Sequence, residues 1–325
     1  MNTSANKWIR IAVISLAAGI IAVIAALWIH DFNFKNFNTE EFEMKEYAIQ
    51  ENFKNIDLDV SNFDVKLVKA SDGKCSVSCG ESDKTNFEVS VDGDTLIIEQ
   101  KDRRKWYEHI CFFGFGYGEN MTVTVNLPEE KYEELSLKAV SGDIDVPNEF
   151  SFMKSKLQST SGDISYKANT DGSLSLLAVS GDIAVENADT GDMFLKTTSG
   201  EISAANCKIS SSSEIVTTSG DIELDNFNTG SAEIVSTSGE VELDSFIAED
   251  GVTVKTTSGD ITLRVSDARS FNLKSTSGCV EGSILSPKKF NVSSTSGDIH
   301  VPYGDENGGL CEIKTTSGDV NIKIS

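Results

Sequence analysis

From Val140 onward, apolar and polar positions alternate in short stretches around a recurring Thr-Thr-Ser-Gly-Asp-Ile motif. Its glycines stand at Gly142, Gly162, Gly181, Gly200, Gly220, Gly239, Gly259, Gly278, Gly297 and Gly318. The intervals between them are 20, 19, 19, 20, 19, 20, 19, 19 and 21 residues. Five positions before each glycine the side chain is aliphatic in every copy, from Leu137 and Leu157 to Val292 and Ile313. Two positions after it the residue is Ile or Val throughout, including Ile144, Ile222, Ile299 and Val320. Three before it the side chain is always small, as at Ala139, Ser159 and Thr197, and four after it is usually apolar, as at Val146 and Leu224.

Within each flank the apolar spacing is two, the period of a β-strand with one buried face. Each unit therefore reads as strand, Ser-Gly corner, strand, and a return loop rich in Asn, Asp and Ser. A fixed period near twenty residues marks a solenoid, in which one supersecondary unit stacks on copies of itself. Helical repeats are excluded by the period of two, the β-branched residues and the glycine corner. The expected fold is all-β: a parallel β-solenoid of about ten coils over 128–325. At about 4.8 Å per coil this makes a rod roughly 48 Å long with aliphatic ladders as its core. The corner glycine is expected to hold a backbone conformation that a β-branched residue adopts only at a cost.

Upstream, 54–127 is β-like but does not keep the repeat, which suits an N-terminal cap over an otherwise unpaired strand edge. Asn55 to Val68 reads as a degenerate coil, with Ser61-Asn62-Phe63-Asp64-Val65 where later copies have Ser-Gly-Asp-Ile. Alternating strands are expected at Lys74 to Gly80, Phe87 to Val91, Thr95 to Glu99 and Met121 to Leu127, with Asp92-Gly93 as a hairpin turn. Between the last two, residues 101–120 carry Trp106, Tyr107, Phe112, Phe113, Phe115 and Tyr117 among three glycines. Rigid aromatics on such a loop suit a ligand-binding or membrane-touching surface; folding over the open end of the solenoid is the competing, structural role.

Ile11 to Ile29 runs without a charge, follows Lys7 and Arg10, and is bracketed by Trp8 and Trp28. At 1.5 Å per residue it spans roughly 28 Å, close to the hydrocarbon thickness, with tryptophans where aromatic belts sit. The expectation is one transmembrane helix at 11–29, a cytoplasmic N-terminus at 1–10, and the rest extracellular by the positive-inside tendency. A cleavable signal peptide is the rival reading, but Leu27-Trp28-Ile29-His30 lacks the small residues of a cleavage site. Residues 30–53, with Phe32, Phe34, Phe37 and Phe42, read as a stalk or as a segment in the membrane interface. A short helix is expected around Glu40 to Tyr47.

Charge narrows the partners. The chain has 325 residues and a net charge of -23, so a phosphate polymer would be repelled and nucleic acid is excluded as the expected partner. Six cysteines, Cys75, Cys79, Cys111, Cys207, Cys279 and Cys311, show no zinc spacing. Cys75 and Cys79 are four apart on a strand, too far to bridge each other, although either could reach Cys111; the other three read as single thiols.

One column carries possible chemistry. Directly after the glycines stand Asp143, Asp163, Asp182, Glu201, Asp221, Glu240, Asp260, Asp298 and Asp319, with Cys279 as the exception. Stacked about 4.8 Å apart, such carboxylates repel by roughly 0.9 kcal/mol each even in water, so something must compensate. Hydrogen bonds from backbone N–H groups or corner hydroxyls are one answer; calcium along the ladder is the other, without the glycine-rich nonapeptide of calcium-binding β-rolls. No catalytic motif accompanies His30, His109 or His300. A carbohydrate-active enzyme on this scaffold would need two carboxylates at a local break in the repeat, and the repeat shows no pronounced break.

Thr122 to Pro128 (Thr-Val-Thr-Val-Asn-Leu-Pro), Tyr132 to Ile144 and the successive Ser-Gly-Asp-Ile copies resemble the bacterial putative-adhesin domain of unknown function, over about 54–325. With one N-terminal anchor the chain looks like its membrane-anchored LiaG-type members of Gram-positive bacteria, linked to cell-envelope stress operons. The resemblance implies the solenoid fold and a noncatalytic envelope module, binding or adhesin-like, with an unidentified protein or glycan partner. It supplies no catalytic residues and no cofactor. A structural surface spacer is the third possibility.

Overall fold

The computed structural model describes Gly19, 42–103 and 121–325. Apart from Gly19, the expected membrane segment 11–29 lies outside these residues, as do the aromatic residues Trp106, Tyr107, Phe112, Phe113, Phe115 and Tyr117 and His30, His109 and Cys111. Among the described residues, no helix is long and apolar enough to cross a membrane.

The described chain is all-β, with 24 strands in one hydrogen-bonded system. Coils are numbered 1 to 10 here by their glycines, Gly142 to Gly318. Equivalent strands of successive coils pair in parallel and in register: Leu137 opposes Leu157, and Ile144 opposes Ile164. Both aliphatic columns face inward and are buried in coils 1 to 8. Coils of 19 and 20 residues coexist because the extra residue is absorbed at one place. Register shifts fall between Thr170 and Ser173, Thr190 and Met193, Ile209 and Ser212, and Thr229 and Ala232, all just before the strand that leads into the corner. A bulge there leaves the corners aligned.

The corner glycines do not have the backbone conformation expected of them: none of the ten has positive φ. Their requirement is close approach. A Cβ on Gly220 would lie 1.7 Å from the carbonyl oxygen of Gly200, and one on Gly181 would lie 2.0 Å from that of Gly162. The small column three residues earlier completes the corner. The Thr217 hydroxyl accepts the Gly220 N–H at 3.1 Å and donates to the Gly200 carbonyl of the coil before at 3.3 Å. Thr197 and Ser275 do the same. One buried hydroxyl thus satisfies two backbone groups that the tight corner would otherwise orphan.

A second bend follows the short strand. Asn187, Asn206, Asn226, Ser245 and Val265, each six after a glycine, have φ between 48° and 55°. Asparagine tolerates this left-handed region, and Asn226 also donates to the Asn206 side chain at 2.8 Å. Val265 is β-branched, 47% exposed, and at the same φ.

The degenerate first coil is present. Asn55–Asp59 lies between Thr95–Asp102 and coil 1, and Asp64–Lys69 lies between Thr122–Leu127 and coil 1. A Cβ on Gly142 would meet the Phe63 carbonyl at 1.8 Å, so Phe63 holds the corner position. Thr85–Asp92 and Thr95–Asp102 form the expected hairpin, with Gly93 at φ 58°. The helix expected around 40–47 is instead the strand Glu43–Ile49, antiparallel to Cys75–Glu81. The open edge of that strand recruits it: the Tyr47 hydroxyl donates to Glu81, and Lys45 reaches the same carboxylate at 3.0 Å. Strand pairing here outweighs local propensity.

At the far end the coils leave sequence order. Gly309–Thr315 of coil 10 pairs with coil 8 on one side and with Lys288–Ser294 of coil 9 on the other. Val320–Ile324 is likewise placed between Val280–Ile284 and Ile299–His300. Coil 9 is therefore outermost, and Ile299, expected in the buried column, is 41% exposed.

Two substitutions test these corners. Gly220→Ala should lose about 3 kcal/mol or more, because even one methyl meets backbone, whereas Ser219→Ala should stay within about 0.5 kcal/mol. Denaturant midpoints measure both, and a mild Gly220→Ala would refute the close-approach account. Val265→Asn should instead stabilise by about 1 kcal/mol, since the left-handed region costs a β-branched residue about 1–2 kcal/mol more. An unchanged or lowered midpoint would contradict it.

Candidate functional site

The acidic column and the outer face of the long strands are the two places where the repeat arranges polar chemistry. In the acidic column the carboxylates bond between coils. Oδ1 of Asp143 accepts the Asp163 N–H at 2.9 Å, Asp163 accepts that of Asp182 at 2.8 Å, and Asp182 accepts that of Glu201 at 2.8 Å. Asp221 accepts the Glu240 N–H at 2.8 Å, Asp260 that of Cys279 at 2.7 Å, and Asp319 that of Asp298 at 2.8 Å. Asp64 starts the series in the degenerate coil by accepting the Asp143 N–H at 3.0 Å.

Aspartate has the right length for this step: its oxygen reaches one coil spacing to the next backbone N–H. The two glutamates do not repeat it. Glu240 turns to the Thr262 hydroxyl at 3.2 Å, and Glu201 is raised above the usual carboxylate range by burial and by Glu223, Asp182 and Asp221 around it. A hydrogen bond to a charged acceptor contributes about 1.5–3 kcal/mol, more than the roughly 0.9 kcal/mol of repulsion between neighbours. Among the described residues no three His, Cys, Asp or Glu side chains gather in a group able to hold a metal ion.

The second place was not legible as a site in the sequence. Outside the register shift, the long strands of coils 3 to 7 carry short side chains, and this leaves a depression of about 590 Å³ running along the rod. Ser173, Ser175, Ser212 and Ser231 line it with hydroxyls, Asp192, Glu214 and Glu233 with carboxylates, and Phe194 supplies a half-buried ring. Phe194 is the one aromatic among the residues six before the glycines. Asp192 is fixed in place by the Ser212 hydroxyl at 2.9 Å and the Ser212 N–H at 3.3 Å. Hydrogen bonds from the Ser211 and Ser212 hydroxyls hold it below the usual carboxylate range, so it stays ionised. The floor is made by inward residues such as Leu174 and Met193, both buried.

Four of the five described cysteines are buried thiols. Cys75, Cys79, Cys207 and Cys311 are buried, and no disulfide joins the described cysteines. Burial pushes the Cys79 thiol up to about 12 and that of Cys207 to about 11, which keeps both protonated and unreactive.

The acidic column gives the next test. Asp221→Asn keeps an acceptor for the Glu240 N–H and relieves repulsion, so it should change stability by less than about 0.5 kcal/mol, while Asp221→Ala should lose about 1 kcal/mol. Melting in detergent with calcium and then with a chelator should show one small shift shared by the wild type and both variants. A saturable gain in the wild type alone, about 2.7 kcal/mol at a hundredfold excess over the dissociation constant, would make the ladder a cation site.

No curated protein matches the chain. Among solved structures it is similar to a putative adhesin from Parabacteroides distasonis, at 14% identity and a TM-score of 0.48, covering 85% of this chain and 98% of that one. A putative lipid binding protein from the same species aligns at 16% identity and a TM-score of 0.47, over 86% and 97% of the two chains. A putative adhesin from Bacteroides fragilis aligns at 14% and 0.43, over 87% and 97%. The family match is direct, and it covers cap and coils together. Matched over residues 53–281 and again over 250–325, the chain belongs to the Toastrack DUF4097 family.

Proposed function

We propose that the chain is a noncatalytic, extracytoplasmic binding module of the cell envelope, anchored in the membrane by residues 11–29, and that it contacts a glycan along coils 3 to 7. The observation that carries this reading is the depression beside Phe194. It offers an aromatic face among regularly spaced hydroxyls and fixed acceptors on a rigid surface, the mixture by which sugar rings and their hydroxyls are held. Charge selects within that class. Residues 168–263 carry seventeen Asp and Glu against three Lys and no Arg, so an anionic polymer is disfavoured and a neutral or amine-bearing glycan is favoured.

The noncatalytic part rests on regularity. Coils 1 to 8 stack without an irregular inserted loop, and most carboxylates of the corner column are engaged with backbone N–H groups. The membrane part rests on the uncharged run at 11–29 and its flanking Lys7, Arg10, Trp8 and Trp28.

Full-length protein in detergent, presented with neutral, amine-bearing and anionic cell-surface glycans, tests the assignment. A neutral or amine-bearing glycan should be retained, and Phe194→Ala should weaken it by about 1–3 kcal/mol without moving the melting temperature. Equal binding by the variant would remove the depression as the contact. Turnover of any glycan, abolished by one carboxylate substitution, would replace the noncatalytic reading with an enzymatic one.

A further inference from the structure

The two ends of the rod are finished differently. At the cap end the parallel stack is closed by antiparallel strands, Thr85–Asp92 on one wall and Cys75–Glu81 followed by Glu43–Ile49 on the other. At the far end, among the described residues, no antiparallel strand follows coil 9. Among the described residues, Lys288–Ser294 and Ile299–His300 pair as strands with coil 10 alone, and the Asp305 N–H donates to the Lys288 carbonyl at 3.0 Å. The inward columns are correspondingly open: Phe290, Val292 and Val301 are only partly buried, and Ile299 is 41% exposed, where Ile261, Val280 and Val320 are fully buried. Tyr303 is fully exposed beside them, and Leu310 is 47% exposed.

An open edge of this kind is a template for another strand. Coil 10 shows that a coil face need not be filled by the next coil in sequence, because it sits between coils 8 and 9 although it is not the sequence neighbour of coil 8. Charge favours a like partner at this end alone. Residues 264–325 carry seven Lys and Arg against seven Asp and Glu, whereas 168–263 carry three against seventeen. Two copies meeting by their middles would repel, and two meeting by this end would not.

We infer that the coil 9 face is a homotypic interface, in which two copies of the chain pair end to end about a two-fold axis. The axis lies across the rod and sets Lys288–Ser294 antiparallel to its own copy. With Asn291 on the axis, Phe290 of each copy meets Val292 of the other, and the aliphatic ladders run on from one molecule into the next. Such a contact is isologous and closes at a dimer. It is independent of the glycan surface, which lies on the side of the rod.

Sedimentation of the full-length protein in detergent tests this directly. The wild type should show a reversible monomer–dimer equilibrium, and the double substitution Ile299→Lys and Tyr303→Lys should raise the dissociation constant at least about tenfold by placing like charges across the axis. Both side chains are exposed, so the unfolding midpoint should not move. As a check independent of those side chains, Asn291→Cys in a Cys279→Ser background should form a disulfide between copies under mild oxidation. A wild type that stays monomeric at the highest attainable concentration would overturn the inference. So would a dimer indifferent to the double substitution, which would place the contact on another surface or in the membrane segment, and so would the absence of the Asn291→Cys cross-link.

Discussion

Everything in the rod depends on backbone approaching backbone at the corner. Where the Gly220 and Gly200 corners meet there is no room for a single methyl group, and that contact sets the separation of the coils. The other stabilising interactions are tuned to this separation. The Ile and Leu ladders pack at one coil spacing, the Thr217 hydroxyl spans from one corner to the next, and the aspartate side chain is long enough to reach one N–H and no further. The motif Thr-Thr-Ser-Gly-Asp-Ile is thus a statement about stacking rather than about chemistry at a surface.

A second consequence is that variation is confined. Because the corners are locked, length differences between coils have to go elsewhere, and they go to the register shift ahead of the long strand. The side chains outside that shift are free of corner constraints, and there the serines, Asp192 and Phe194 collect. The same separation of duties explains the bend at Val265. It lies outside the glycine corner, so a strained residue is tolerated there that the corner itself would reject.

Much of this architecture was legible in the sequence because a solenoid writes each contact many times. Ten glycines and two aliphatic columns give the parallel stack, and Ser61 to Val65 can be aligned to it even without a glycine. The acidic column was visible too, and its backbone role was one of the two readings open to it. Three features were not legible, each for a physical reason. The depression at Phe194 depends on which strand face points outward and where the bulge falls, and no single residue announces either. Glu43–Ile49 has the composition of a helix and becomes a strand only because Cys75–Glu81 offers it an edge. The order of the last two coils is hidden by the repeat itself: coils that present the same columns are interchangeable neighbours as far as sequence can show.

That last arrangement has a bearing on how the chain is made. Up to coil 8 each new coil can settle on the one before it as the polypeptide emerges, with partners about twenty residues apart. Gly318 instead contacts Gly278, so the final docking skips a whole coil and closes a loop about twice as long, an entropic difference of roughly 0.6 kcal/mol. The thermodynamic penalty is small, but the temporal one is not. If coil 9 settles on coil 8 at once, it occupies the berth that coil 10 must take, and it has to lift away again before the rod can be completed. Vectorial assembly therefore pauses after coil 8, and the forty or so residues of coils 9 and 10 find their places together only once coil 10 has emerged.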